Sequence, residues 1–130
     1  MILFGHHFIE SPSLYHIENI DAIKNTPPSS LLYIEFNEKN LEIIKHTQLN
    51  NLPTAIKVHN IKELIFATQF QASYAICEKK DAKKFQNIAE EYLFDTKIIA
   101  IIKEEEEIEE LALKGIDGVL FQLAIIKTNS

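Results

Sequence analysis

Lys57 interrupts an otherwise apolar run, Thr54-Ala55-Ile56-Lys57-Val58, and His59 follows two residues later. A lysine in a strand buried on both faces can act as a base or as a Schiff-base nucleophile. The same lysine on an edge strand, or snorkelling past Ala55 to solvent, does neither. The apolar runs end in polar residues, Glu18, Asn37, His59, Glu78, Lys103 and Gln122. In open parallel sheets ligands bind beyond the carboxyl ends of the strands, so these residues are where chemistry is to be sought. Strand ends are also where acceptors cap the next helix, a role that suits Asn37, Glu78 and the Asn60 beside His59. Lys57 and His59 as a reactive pair, with Glu78 orienting them, are the catalytic candidates.

His6, His7, His16, His46 and His59 raise the question of a metal. Alternation along a regular strand sends His6 and His7 to opposite faces, and scattered histidines with one cysteine lack the paired spacing of a zinc site. Neither a metal nor a cofactor is expected. Cys77 closes a buried strand, where cysteine behaves as a small hydrophobe and not as a catalytic thiol. With only Gly5, Gly115 and Gly118, the chain has no dinucleotide fingerprint and no P-loop, and no serine sits in a nucleophile elbow. The run Glu104 to Glu107 opens a helix, where carboxylates complement the dipole as a solvated cap.

The formal net charge is −6, and all 13 basic residues are lysine. Without arginine there is no planar fork for bidentate grip on phosphate or guanine, and an acidic surface repels a duplex, so no nucleic-acid partner is expected. A length of 130 residues, 46% of them hydrophobic, suits one domain with a real core. No apolar run approaches the roughly 18 residues of a membrane span, and Gly5-His6-His7 cuts the apolar start short of a signal segment. A cytoplasmic address and no membrane partner are the expectations, and one cysteine fits a reducing compartment.

Positioning these residues falls to alternating β-branched runs and amphipathic stretches, the pattern of βα units around a mostly parallel sheet. Strands are expected over Ile2 to Phe4 with a continuation through Phe8-Ile9, and over Leu14 to Ile17, Leu31 to Phe36, Thr54 to Val58, Tyr74 to Cys77, Lys97 to Ile102 and Gly118 to Phe121. Ser11-Pro12-Ser13 is too short for a crossover helix, so residues 1–17 read as an antiparallel hairpin. Residues 18–121 then carry the βα repeats, about six βα strands when Leu14 to Ile17 is counted, and 122–130 form a tail that either extends the last strand or begins a helix. Helices are expected over Asn19 to Asn25, Glu38 to Thr47, Ile61 to Gln69, Asp81 to Phe94 and Glu104 to Lys114, each with an apolar stripe such as Phe85, Ile88 and Ala89. Three segments of 22 residues, starting at Tyr15, Ile56 and Ala100, run strand to strand and suggest an internal repeat, though any tight βαβ unit converges on that length.

The stretch KIIAIIKEEEEIEELALKGIDGVLFQLAIIK resembles the last two strand–helix units of the phosphate-binding (βα)8 barrels. Asp117-Gly118-Val119-Leu120-Phe121 and Ala124-Ile125-Ile126-Lys127 keep the frame of that family. Gln122 and Leu123 stand where its Gly-Ser pair would meet the phosphate, so the resemblance implies a barrel-like unit without that site. Six βα strands fall short of a closed eight-stranded barrel, and the expectation is an open, doubly wound α/β sheet with helices on both faces.

Two functional classes follow. One is a non-catalytic domain acting through a protein partner or as a homo-oligomer, suggested by the missing motifs and by Phe66, Phe70 and Phe94 on short helices, unless those rings simply fill the core. The other is a lyase-type enzyme or small-ligand binder at the strand ends, using Lys57, His59 and Glu78.

Overall fold

The computed structural model describes residues 1–128, and all eight of its strands belong to one parallel sheet. The strands are β1 (Ile2–Phe4), β2 (Leu14–His16), β3 (Leu31–Glu35), β4 (Thr54–Lys57), β5 (Tyr74–Glu78), β6 (Lys97–Ile102), β7 (Gly118–Phe121) and β8 (Ile125–Lys127). Between them lie α1 (Leu41–Leu49), α2 (Ile61–Gln69), α3 (Lys79–Glu91) and α4 (Glu106–Leu113), while a 3₁₀ turn over Ile20–Asn25 joins β2 to β3. The six expected βα strands are β2 to β7, and no helix of the described residues is long and apolar enough to cross a membrane.

The strand order is β1-β7-β6-β5-β4-β3-β2-β8. It corrects four expectations. Residues 1–17 form no antiparallel hairpin, because β1 pairs in parallel with β7, and β2 with β3 and β8. The run through Phe8-Ile9 is turn and not strand, so Ser11-Pro12-Ser13 belongs to a loop that carries the chain from one end of the sheet to the other. The order from β7 to β2 never reverses, so the sheet is singly wound and has no switch point. The described part of the tail, residues 122–128, neither extends β7 nor becomes an α-helix; it turns through Gln122–Ala124 and adds β8 at the far end, and residues 129–130 lie outside the described residues.

That last connection sets the shape. Six inter-strand steps separate β7 from β8, about 29 Å in a flat sheet, whereas the link from Phe121 to Ile125 spans at most about 14 Å. The sheet therefore curls. A Cβ on Gly5 would stand 3.0 Å from the Cβ of Ala124, so the end of β1 meets the start of β8; with φ at +90°, glycine is the residue this turn needs. The pairing is strongly staggered: Ile2 is level with Gly118, and through Ile99, Ile76 and Lys57 with Glu35 at the far end of β3. Such stagger accompanies the strand tilt of barrel-like sheets.

Helices cover one face only, a further correction. Ile43, Leu64, Phe85 and Leu111, one from each helix, pack in one core with Ile34, Ile56, Cys77 and Ile98 from the strands. The opposite face carries no residue of α1 to α4: Phe4, Leu14, Tyr33, Ile76, Ile99 and Leu120 pack against one another inside the curl. Phe70 and Phe94 pack on the helix-side core, whereas Phe66 stays partly exposed and stacks on Phe36 with centroids 5.9 Å apart.

A regular device ends the helices. Leu52, Ala72, Phe94 and Ile116 each donate their N–H to the carbonyl five residues back, at Thr47, Ala67, Ala89 and Leu111. The residue before each, Asn51, Gln71, Leu93 and Gly115, is left-handed, which is the Schellman arrangement. Asp117 then accepts from the Ile98 N–H at 2.9 Å, tying the start of β7 to β6. The 22-residue segments starting at Ile56 and Ala100 coincide with strand–helix–strand steps, β4–α2–β5 and β6–α4–β7, whereas the one starting at Tyr15 passes from β2 to β3 through the 3₁₀ turn.

Two substitutions test this account by thermal unfolding. A side chain at Gly118 would meet Ile99 and the Ile2 backbone at 2.6 to 2.7 Å, so Gly118→Val should destabilise by at least about 1–3 kcal/mol. Leu93 is 85% exposed at φ 55°, so Leu93→Gly should stabilise by roughly 0.5 to 1 kcal/mol through relief of left-handed strain, despite glycine's entropy.

Candidate functional site

Alternation along each strand places Tyr33, Lys57, Ile76, Ile99 and Ile101 on the inner face of the curl. Through most of its depth this face is apolar. Charge enters at the strand C-terminal ends, where Lys57 Nζ lies 3.1 Å from Glu78 Oε1. The Lys57 side chain is only 13% exposed, and that of Glu78 is 55% exposed. β4 lies between β3 and β5, so Lys57 is not on an edge strand. The pair borders a cavity of about 680 Å³ whose walls include Ile101, Lys103, Phe121 and Gln122.

The neighbouring strand ends show what Glu78 is not doing. Asn19, Asn37 and Asn60 each accept a backbone N–H three residues on, at 2.8 to 2.9 Å, and so start the helices that follow. Glu78 precedes α3 in the same position but makes no cap hydrogen bond. Its carboxylate is turned to Lys57. The expected capping role therefore holds for Asn37 and Asn60 and fails for Glu78.

His59 joins a different group. Its Nδ1 lies 2.8 Å from Glu63 Oε1 and its Nε2 3.1 Å from Glu35 Oε1, while its backbone N–H donates to Glu63 at 2.9 Å. Both ring nitrogens are thus engaged by carboxylates at the start of α2 and the end of β3. Lys57 and Glu78 are brought together, and His59 is held beside them without lining their cavity. His6 and His7 lie beyond β1 in the turn, where strand alternation does not apply, and their rings stack with centroids 4.6 Å apart. Among the described residues no group of three His, Cys, Asp or Glu is placed to hold a metal ion.

Set against known proteins, the chain matches no family model and no curated sequence. What the mouth can do follows from its own atoms.

Tyr33 was not among the sequence candidates, yet it lies on the inner face with its ring edge-on to His16 at 5.3 Å. Burial first, and then the charges of Glu35 and Glu78, push its hydroxyl up to about 12, so it stays protonated as a donor. Cys77 is also pushed up to about 12, chiefly by burial in the helix-side core, which removes it as a thiolate nucleophile. The acidic run at α4 is more than a solvated cap. Glu107 accepts from the Lys103 and Glu104 N–H groups, and Glu105 is held below the usual carboxylate range by its hydrogen bond with His6. A pair such as Tyr33 and Glu35 leaves one sequence signal: polar residues at the same parity as the strand-end charge.

The folded value of Tyr33 lies above the ordinary 10, so its contribution to stability is intact below pH 10 and is lost as the pH rises through about 12. An ultraviolet titration of tyrosinate should show a component at about 12 that is missing in Tyr33→Phe.

Proposed function

We propose that this chain is a small-molecule binder that holds a carboxylate at the C-terminal mouth of the curled sheet, with Lys57 as the anchor. The observation that carries this reading is the enclosed Lys57 ammonium, which faces a cavity and is paired with the half-exposed Glu78. An ion pair taken out of water recovers little net stability, and a packed hydrophobic side chain level with Ile76 would serve the fold as well. Glu78 occupies the place a ligand carboxylate would take, and its exposure lets it swing aside when one arrives. Lys103 on the same wall adds a second positive charge.

A lyase-type use of the same lysine has one observation in its favour. The Lys57 ammonium is only 13% exposed and faces the cavity, where a bound carbonyl compound would meet it. After loss of a proton to solvent, the amine could condense with that carbonyl, releasing water and forming an imine. Borohydride reduction with a 2-oxo acid followed by mass spectrometry separates the two uses. A covalent adduct on Lys57 supports the lyase, and its absence leaves simple binding.

The decisive variant is Lys57→Met, which keeps the volume and removes the charge. In a thermal-shift titration with small carboxylic acids, a ligand at 100 times its Kd should stabilise the parent protein by about 2.7 kcal/mol and the variant not at all. An equal shift in both proteins would sink the proposal. Glu78→Gln, which removes the competing carboxylate, should bind more tightly than the parent.

A further inference from the structure

The cavity over Lys57 does not end at its own wall. Leu123 lines it and also lines a neighbouring cavity of about 560 Å³ beneath the loop between β1 and β2. A row of aromatic rings runs the same way: Phe121 lies 5.7 Å from His6, and His6 lies 4.8 Å from Phe8. His6 is fixed in this row by Glu105 and by the Phe8 N–H, which donates to its Nδ1 at 3.0 Å. The second cavity presents apolar side chains to solvent, with Phe8 78%, Leu123 78% and Ile9 47% exposed. Large apolar groups gathered on a rim mark a binding surface more often than they mark chance.

The two ends of this path differ in charge. Lys57 and Lys103 stand at one end; residues 5–13, at the other, contain no lysine and carry Glu10. A ligand with a second anionic group would bring that group to the Glu10 carboxylate and the exposed Phe8 and Ile9 side chains. A ligand with one carboxylate and an apolar tail matches both ends.

We infer that the ligand is a linear monocarboxylate, its carboxylate at Lys57 and its alkyl tail laid past Phe121 and Leu123 toward Phe8. This rests on the carboxylate site proposed above and adds the class of molecule that fills it. Burial of each further methylene should tighten binding by up to about fourfold until the trough is full.

Calorimetric titration of the intact chain with butyrate, hexanoate, octanoate and decanoate tests the inference. Affinity should rise along the series in the parent protein. Phe8→Ser and Ile9→Ser, both at exposed positions that line the second cavity and not the first, should each flatten the rise while leaving butyrate binding unchanged, and Lys57→Met should weaken every member. Equal affinity across the series, with Lys57→Met abolishing all of it, would overturn the tail and keep the carboxylate site. No binding by any member would remove the carboxylate site itself. A chain-length rise that survives both rim variants would place the tail elsewhere and overturn the inference. Sedimentation velocity covers the remaining occupant: a dimer dissolved by Phe8→Ser, with no rise along the series, would mean that a second copy of the chain covers this rim.

Discussion

The short link from β7 to β8 is the constraint on which this architecture depends. Two strands at opposite ends of the sheet order are joined by Gln122–Ala124, and no flat or gently twisted sheet permits that. Curling follows, and with it the division into a helix-covered outer face and an inner face that can only pack on itself. The staggered register then lifts Lys57 of β4 and Glu35 of β3 to the level of Ile2 at the start of β1. A mouth ringed by strand ends is the geometric outcome, and so is the enclosure of a lysine that an open sheet would have left at a crevice.

Much of the local structure was legible because it is written in local chemistry. The runs Leu31 to Phe36 and Lys97 to Ile102 are apolar and β-branched, and α2 falls on Ile61–Gln69 as its apolar spacing requires. What failed was long-range. Residues 1–17 carry two strand-like runs separated by a turn-like Ser-Pro-Ser, and nothing nearby says that their partners are β7 on one side and β3 and β8 on the other. The absence of a strand-order reversal is likewise invisible in a list of runs. The resemblance of the C-terminal stretch to barrel units was a better guide to the curl than the count of strands was.

At the site, residue type predicted contact only in part. Lys57 stood out because it broke an apolar run, and the structure gives it an enclosed ion pair with Glu78. Glu78 itself reads as a cap from its position before α3, and only geometry reveals that its carboxylate is turned inward. His59 sits one residue before the Asn60 cap, and Glu63 serves both: its N–H goes to Asn60 and its carboxylate to His59. That local knot draws the imidazole away from the cavity. Tyr33 was missed because a tyrosine in a strand is unremarkable until its neighbours' charges are placed.

The meeting of Gly5 with Ala124 has a kinetic side. Each strand–helix–strand step between β3 and β7 closes a short loop, and each helix carries its own stop, so these units can assemble from contacts near in sequence. The seam cannot. It joins the first strand to the last two, so closing it carries the entropy cost of a loop that spans nearly the whole described chain. Phe121, Leu123 and His6 all lie along this seam. The apolar trough is thus built where contacts are most distant in sequence, and a molecule lying along it would act as a clasp between the two ends of the curled sheet.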